Sequence, residues 1–243
     1  LSLLKYDVPL MQTSKRDLIG FSDIVIDRVT GEILEHSPDN WLFSVLPFPY
    51  QNKQQESPNF NKWLNFTCDN NENKKSVLLA LLYMVLSNRY DWQLFIEITG
   101  EGATGKSVLT DICMQMVGLD NVISLNLNNL DNPKERYPIK DKLLIICPDQ
   151  PSYKIIGSGL KAITGGDLIR VEPKYKDPIS IICRAVVLIV NNEPTKFIDR
   201  SGGIERRRVI IHLSRVVPDN ERDLQISQKI KAEMPSIIQN LLS

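Results

Sequence analysis

The sequence predicts an α/β fold built on a mostly parallel sheet, and three observations carry that expectation. Four short runs, Leu94–Thr99, Leu143–Cys147, Val186–Val190 and Arg208–Leu213, are nearly continuous in apolar residues. Strands covered on both faces show this texture. Helical periodicity follows the first run over Ser107–Val117. Between that strand and that helix lies a glycine-rich loop ending in Gly-Lys-Ser.

The elements ahead of this pattern differ in character. Phe21–Tyr50 opens with alternating apolar positions around Val29-Thr30-Gly31, the pattern of a short β-hairpin leading into a Pro-rich connection. Gln51–Asn59 is polar and Pro-punctuated, and is expected to be a loop. Phe60, Trp63, Leu64 and Thr67 fall at helical spacing, and DNNENKK marks a break before an apolar helix over Val77–Leu86. That run of ten is too short to cross a bilayer, which needs about 18 or more residues. Residues 1–91 are therefore expected to form a hairpin and a small, mostly helical accessory region. Residues 92–215 form the α/β domain, and residues 216–243 a C-terminal segment of one helix, or two meeting near Pro235.

Bulk properties narrow the function classes. The chain is 42% apolar and 24% charged over 243 residues, which suits one good core rather than a disordered tail. Twenty-nine basic and twenty-nine acidic side chains cancel, so any nucleic-acid site must be a local cluster. Cys68, Cys113, Cys147 and Cys183 are too scattered for a zinc site or a disulfide framework, and read as reduced, buried thiols of a cytoplasmic protein. The chain starts at Leu1 without a signal-peptide pattern, and is expected to be a piece of a longer protein.

The loop Gly100-Glu101-Gly102-Ala103-Thr104-Gly105-Lys106-Ser107 fits G-x-x-x-x-G-K-[ST] in its required strand–loop–helix context. Glycines let successive N–H groups turn inward onto a β-phosphate, and the following helix start, with Val108, adds its positive dipole. Lys106 would reach the β and γ oxygens, and the Ser107 hydroxyl would ligate Mg²⁺.

Four later features bear on what the phosphate is for. Leu143–Cys147 runs into Pro148-Asp149-Gln150, placing the Asp149 carboxylate at a strand tip where it could hold Mg²⁺ and polarise water. Two β-prone runs flank Glu172–Pro178, a hairpin whose tip carries Lys174, Tyr175 and Lys176, suited either to a single strand's phosphates and bases or simply to solvent. Val186–Val190 ends in Asn191-Asn192-Glu193-Pro194, a turn whose Asn191 could sense a γ-phosphate. Arg206, Arg207 and Arg208 precede the last strand, where an arginine could act in trans on a neighbour's nucleotide or pair internally with Glu205.

Taken in order, GEGATGKS, LLIICPDQ, LKAITGGD with KYK, LIVNNEP and DRSGGIERRRVIIHL resemble the superfamily 3 helicases. The likeness is greatest to the phage and plasmid primase–helicases, which share their helicase part with the poxvirus primase-helicase. The resemblance implies an AAA+-type P-loop domain behind a helical collar, assembled as a ring, usually a hexamer, around single-stranded or forked DNA. It implies ATP and Mg²⁺ as ligands, with Lys106, Ser107 and Asp149 at the nucleotide and Asn191 as sensor. Arg207, then Arg206, would be the trans finger, and Lys174 and Lys176 would line the channel. A primase, fused or associated, is a further implied partner. The group commonly shows an acidic pair or a Glu at the second acidic strand, whereas here Pro148 precedes Asp149 and Gln150 follows. Two rivals stand beside the motor: an ATP-binding ring that encircles DNA as loader or scaffold, and a small-molecule kinase.

Overall fold

A computed structural model describes residues 18–42, 44–51, 56–150 and 154–242. The first 17 residues of the N-terminal region and residues 52–55 of the expected polar loop lie outside the described residues.

The chain opens with a small antiparallel sheet of β1 (Leu18–Gly20), β2 (Val25–Asp27) and β3 (Ile33–Leu34). The β2–β3 connection is the expected hairpin. Asp27 Oδ1 accepts the Val29 and Thr30 N–H groups at 2.8 and 3.2 Å, and Gly31 takes the positive φ of 75°. Helix α1 (Pro58–Thr67) begins on proline, and the Glu233 carboxylate accepts its first free N–H groups, those of Asn59 and Phe60. Helix α2 (Glu72–Leu86) starts five residues before the apolar run, because Asn71 Oδ1 caps the Lys74 N–H at 3.0 Å.

The phosphate-loop strand is β4 (Phe95–Thr99), followed by α3 (Lys106–Val117). Then come β5 (Val122–Ser124), α4 (Leu127–Asp131), β6 (Leu144–Pro148) and α5 (Ser158–Gly165). A separate antiparallel hairpin, β7 (Leu168–Val171) and β8 (Ile179–Ile182), precedes β9 (Val186–Val190) and β10 (Arg208–His212). Helices α6 (Ile226–Ala232) and α7 (Met234–Leu242) close the chain, and the break between them, at Glu233, falls two residues before Pro235.

The central sheet has the order β10-β4-β9-β6-β5, and all its pairings are parallel. Successive residues of each strand face opposite sides, so the sheet feeds two cores. Ile96, Ile98, Leu144, Ile146, Leu188 and Ile211 pack with α2, α3, α6 and α7 on one face. Phe95, Ile145, Cys147, Val187 and Ile189 pack with α4, α5 and the β7–β8 hairpin on the other. Leu78, Leu82 and Val85 of α2 join the same core as Leu109, Ile112 and Met116 of α3. The texture change near residue 91 is thus no gap in packing: the collar's long helix is one wall of the α/β core. All four cysteines are buried, as expected, and burial pushes Cys113 and Cys147 up to about 12 and Cys183 up to about 11. Among the described residues no helix is long and apolar enough to cross a membrane.

Candidate nucleotide-binding site

In an open parallel sheet the ligand edge lies at the carboxyl ends of the strands. Here the backbone ladders run past the strand ends and stitch those tips together. Gly100 N–H donates to Asn192 O at 3.1 Å, Asn191 N–H to Ile98 O at 3.0 Å, and Asp149 N–H to Val190 O at 3.0 Å. The phosphate loop, the Asp149 tip and the Asn191-Asn192 turn are therefore held at one edge, although they are far apart in sequence.

The loop's own geometry is set by its neighbours. Gly100 lies at φ 147°, and a side chain there would come within 2.3 Å of Leu213 O. Gly105 lies at φ 97°, and a Cβ would come within 2.8 Å of Thr67 Oγ1 and 2.9 Å of Trp63 Nε1. Helix α1 thus lies against the back of the loop, and both of those polar atoms are buried without partners. On the other side Val217 N–H donates to Ala103 O at 2.9 Å, so the chain after β10 braces the loop.

Lys106 folds back onto its loop, donating to the carbonyl oxygens of Gly100 and Glu101 and to Asn192 Oδ1 at 3.2 Å. Burial draws its ammonium below the ordinary lysine range, while the Asp149 charge pulls the other way. Asp149 is exposed at the β6 tip, in the left-handed region at φ 46°. Ser107 is exposed in the first turn of α3.

Asn191, the expected sensor, and Asn192 follow β9 directly and take different partners. Asn191 is buried, its Oδ1 accepting from Gln150 N–H at 2.7 Å and its Nδ2 donating to Thr195 Oγ1 at 2.8 Å. It positions the Asp149-Gln150 tip, whereas Asn192 meets the lysine. Beside them opens a cleft of about 240 Å³ lined by Asp149, Gln150, Asn191, Asn192, Glu193 and Thr195, among others. Glu193, in the turn after β9, is a second acidic residue lining this cleft. In the sequence Glu193 reads as part of an Asn-Asn-Glu-Pro turn, and only the fold brings it near Asp149.

Glu97, in the middle of β4, was also missed. It is fully buried; Oε1 accepts the Thr195 N–H at 2.6 Å and Oε2 accepts Arg208 Nε at 2.7 Å. A lone acid inside an apolar strand demands such a partner, and that was the available signal. The same pairing settles Arg208 as an internal partner, also stacked 5.2 Å from the Phe197 ring. Arg207 Nη1 donates to Gly203 O at 2.9 Å and the residue is half-buried. Arg206 alone of the three is exposed. Lys174, Tyr175 and Lys176 stand at the exposed tip of the β7–β8 hairpin, as expected, with Tyr175 wholly open to solvent.

The residues fit a magnesium ion carried by nucleotide phosphates. Such an ion takes one or two protein oxygens, and Ser107 and Asp149 offer them. Among the described residues no cluster of three His, Cys, Asp or Glu side chains could hold a metal alone.

Comparison with known proteins agrees with this reading of the fold. Residues 98–208 match a family of unknown function, DUF5906, and residues 8–69 match the family described as D5 N terminal like. The chain is 26% identical over 227 residues to "Putative helicase L207/L206" of Acanthamoeba polyphaga mimivirus, covering 89% of this chain and 23% of that protein. It is 28% identical over 134 residues to the uncharacterized mitochondrial protein ymf21 of Marchantia polymorpha, covering 50% of this chain and 74% of that one. An apo structure of the NrS-1 C-terminal region superposes with a TM-score of 0.62 at 18% identity, covering 79% of this chain and 46% of that one. The chain thus spans about a quarter of the mimivirus protein and about half of the NrS-1 chain. The shared fold is that of a P-loop NTPase domain.

Proposed function

We propose that this chain, a relative of the phage-type primase-helicases of superfamily 3, is the ATP-driven DNA-motor part of a larger replication protein. The observation that carries the reading is the convergence of Lys106, Asp149, Asn192 and Glu193 at one sheet edge.

Phosphates entering the loop would meet the N–H groups at the start of α3, and Lys106 would exchange carbonyl partners for β and γ oxygens. Ser107 and Asp149 would hold Mg²⁺, which when bound neutralises charge developing on those oxygens. Asp149 and Glu193 face the cleft where an attacking water would sit, and Asn191 keeps the Asp149 tip in register with the sensor turn. Arg206 is the arginine exposed for a neighbouring subunit's nucleotide in a ring, the hexamer being the expected assembly. The hairpin tip offers two ammonium groups and an aromatic ring to a DNA strand.

The second reading is an ATP-binding ring that encircles DNA with little turnover, favoured by the single acid on β6. Glu193 weighs against it by supplying a second carboxylate. Asp149→Asn separates the two. In a motor it retains binding of a fluorescent ATP analogue and loses hydrolysis by about a hundredfold or more, the scale of an essential electrostatic contact. Hydrolysis unchanged by that substitution contradicts the assigned role of Asp149. A scaffold predicts DNA loading that persists in the variant.

A further inference from the structure

Gln150 follows Asp149 at the tip of β6, and its polar groups bind three different parts of the fold. Its N–H donates to Asn191 Oδ1 at 2.7 Å, its Nε2 donates to Pro148 O at 2.7 Å, and its Oε1 accepts the Leu127 N–H at 2.9 Å. Leu127 is the first residue of α4, one of the helix-start donors that need an outside acceptor. The nucleotide edge thus reaches into α4 through one carboxamide.

Helix α4 is in turn fastened to the hairpin. A Cβ on Gly159 of α5 would fall 1.9 Å from Leu130 O, so α4 and α5 touch backbone to backbone. Asp131, the last residue of α4, accepts from Ser158 Oγ at 2.9 Å and from Gly159 N–H. Helix α5 leads directly into β7. Past α4, Pro133 O accepts the Glu172 N–H at 2.9 Å, and Arg136 donates from Nε to Arg170 O at 2.8 Å and from Nη1 to Leu130 O at 3.2 Å. Helices α4 and α5 and the hairpin form one braced unit.

We infer that Gln150 is a positioning residue that couples filling of the nucleotide edge to movement of the β7–β8 hairpin. Any shift of the Asp149 tip or of Asn191 on phosphate binding pulls the Gln150 carboxamide, and with it the start of α4. Only an amide of this length serves. A glutamate could accept from Leu127 but would set an oxygen against Pro148 O, where Nε2 now donates. The inference rests on the nucleotide-binding part of the function proposed above, and not on DNA binding or turnover.

The test places a fluorophore at the hairpin tip through Asp177→Cys, an exposed position that leaves Lys174, Tyr175 and Lys176 in place. The four native thiols are buried and held protonated, so labelling at neutral pH goes to the new site. Probe emission and binding of a fluorescent non-hydrolysable ATP analogue with Mg²⁺ are followed in the parent, Gln150→Ala, Gln150→Glu and Arg136→Met. The parent is expected to bind nucleotide and change its hairpin signal. Arg136→Met is expected to bind as the parent does and lose that signal; the Gln150 variants, whose side chain borders the cleft, are compared with the parent at saturating nucleotide and are expected to lose it too. Arg136→Met, remote from the cleft, decides the matter if the Gln150 variants fail to fold or to bind. Binding with no hairpin response in the parent, or a full response in Arg136→Met or in a Gln150 variant that binds, overturns the coupling alone. No nucleotide binding by the folded parent overturns both the coupling and the function on which it rests.

Discussion

At the scale of single residues, the buried pair of Glu97 and Arg208 shows how the site is held from below. Glu97 is inaccessible and Arg208 nearly so, and their contact ties β4 to β10 while Thr195 joins both of them to Asn191. Arg208→Ala leaves an uncompensated buried carboxylate. The expected cost is about 3–5 kcal/mol, read as a lowered denaturant midpoint, with the double substitution to an apolar pair recovering most of it. Lys106 and Ser107 were legible in the sequence because a phosphate loop is local: eight consecutive residues carry it. Glu97, Asn192, Glu193 and Gln150 were not. Their roles depend on partners brought in by strand register, and Glu97 lies 111 positions from Arg208. The three arginines could be counted in the sequence but not ranked, since only packing shows that Arg208 turns inward and Arg206 outward.

At the scale of elements, the long apolar runs announced β4, β6, β9 and β10 to within a residue or two, because strands buried on both faces are apolar throughout. The short pieces were not announced. Strand β5 has three residues and α4 five, too few for any period to register, and their polar surroundings resemble a loop. Yet α4 and α5 are the elements that connect the nucleotide edge to the hairpin. Their contact depends on Gly159, and Gly159→Ala forces a methyl group into Leu130 O. A loss of about 1–3 kcal/mol or more is expected from such overpacking, measured by thermal or chemical unfolding. The hairpin tip was legible as a basic-aromatic-basic triplet between two β-prone runs. If its lysines meet single-stranded DNA, Lys174→Ala with Lys176→Ala lowers affinity and flattens the dependence of log K on log salt. The slope should fall by about 1.4, at roughly 0.7 per phosphate contact. An unchanged slope would return the tip to solvent.

At the scale of the whole molecule, one sheet with a core on each face joins what the sequence divides. Helix α2 and the phosphate-loop helix α3 share a core, α1 lies against the back of Gly105, and Glu233 near the C-terminus holds the start of α1. The collar and the closing helices are thus placed to feel the state of the loop. The texture change near residue 91 marked a change of secondary structure and not a boundary of packing, which periodicity cannot distinguish. The two core faces also explain the division of labour: α4, α5 and the hairpin lie on one side, and the braces of the phosphate loop on the other. In the proposed motor, nucleotide captured at this edge drives work on DNA. This is tested most directly by the steady-state ATPase rate of the assembled protein, with and without single-stranded DNA, beside Lys106→Ala. Hydrolysis is expected to rise severalfold with DNA and to be abolished by the substitution. A rate indifferent to DNA and untouched by loss of the Lys106 ammonium would contradict it.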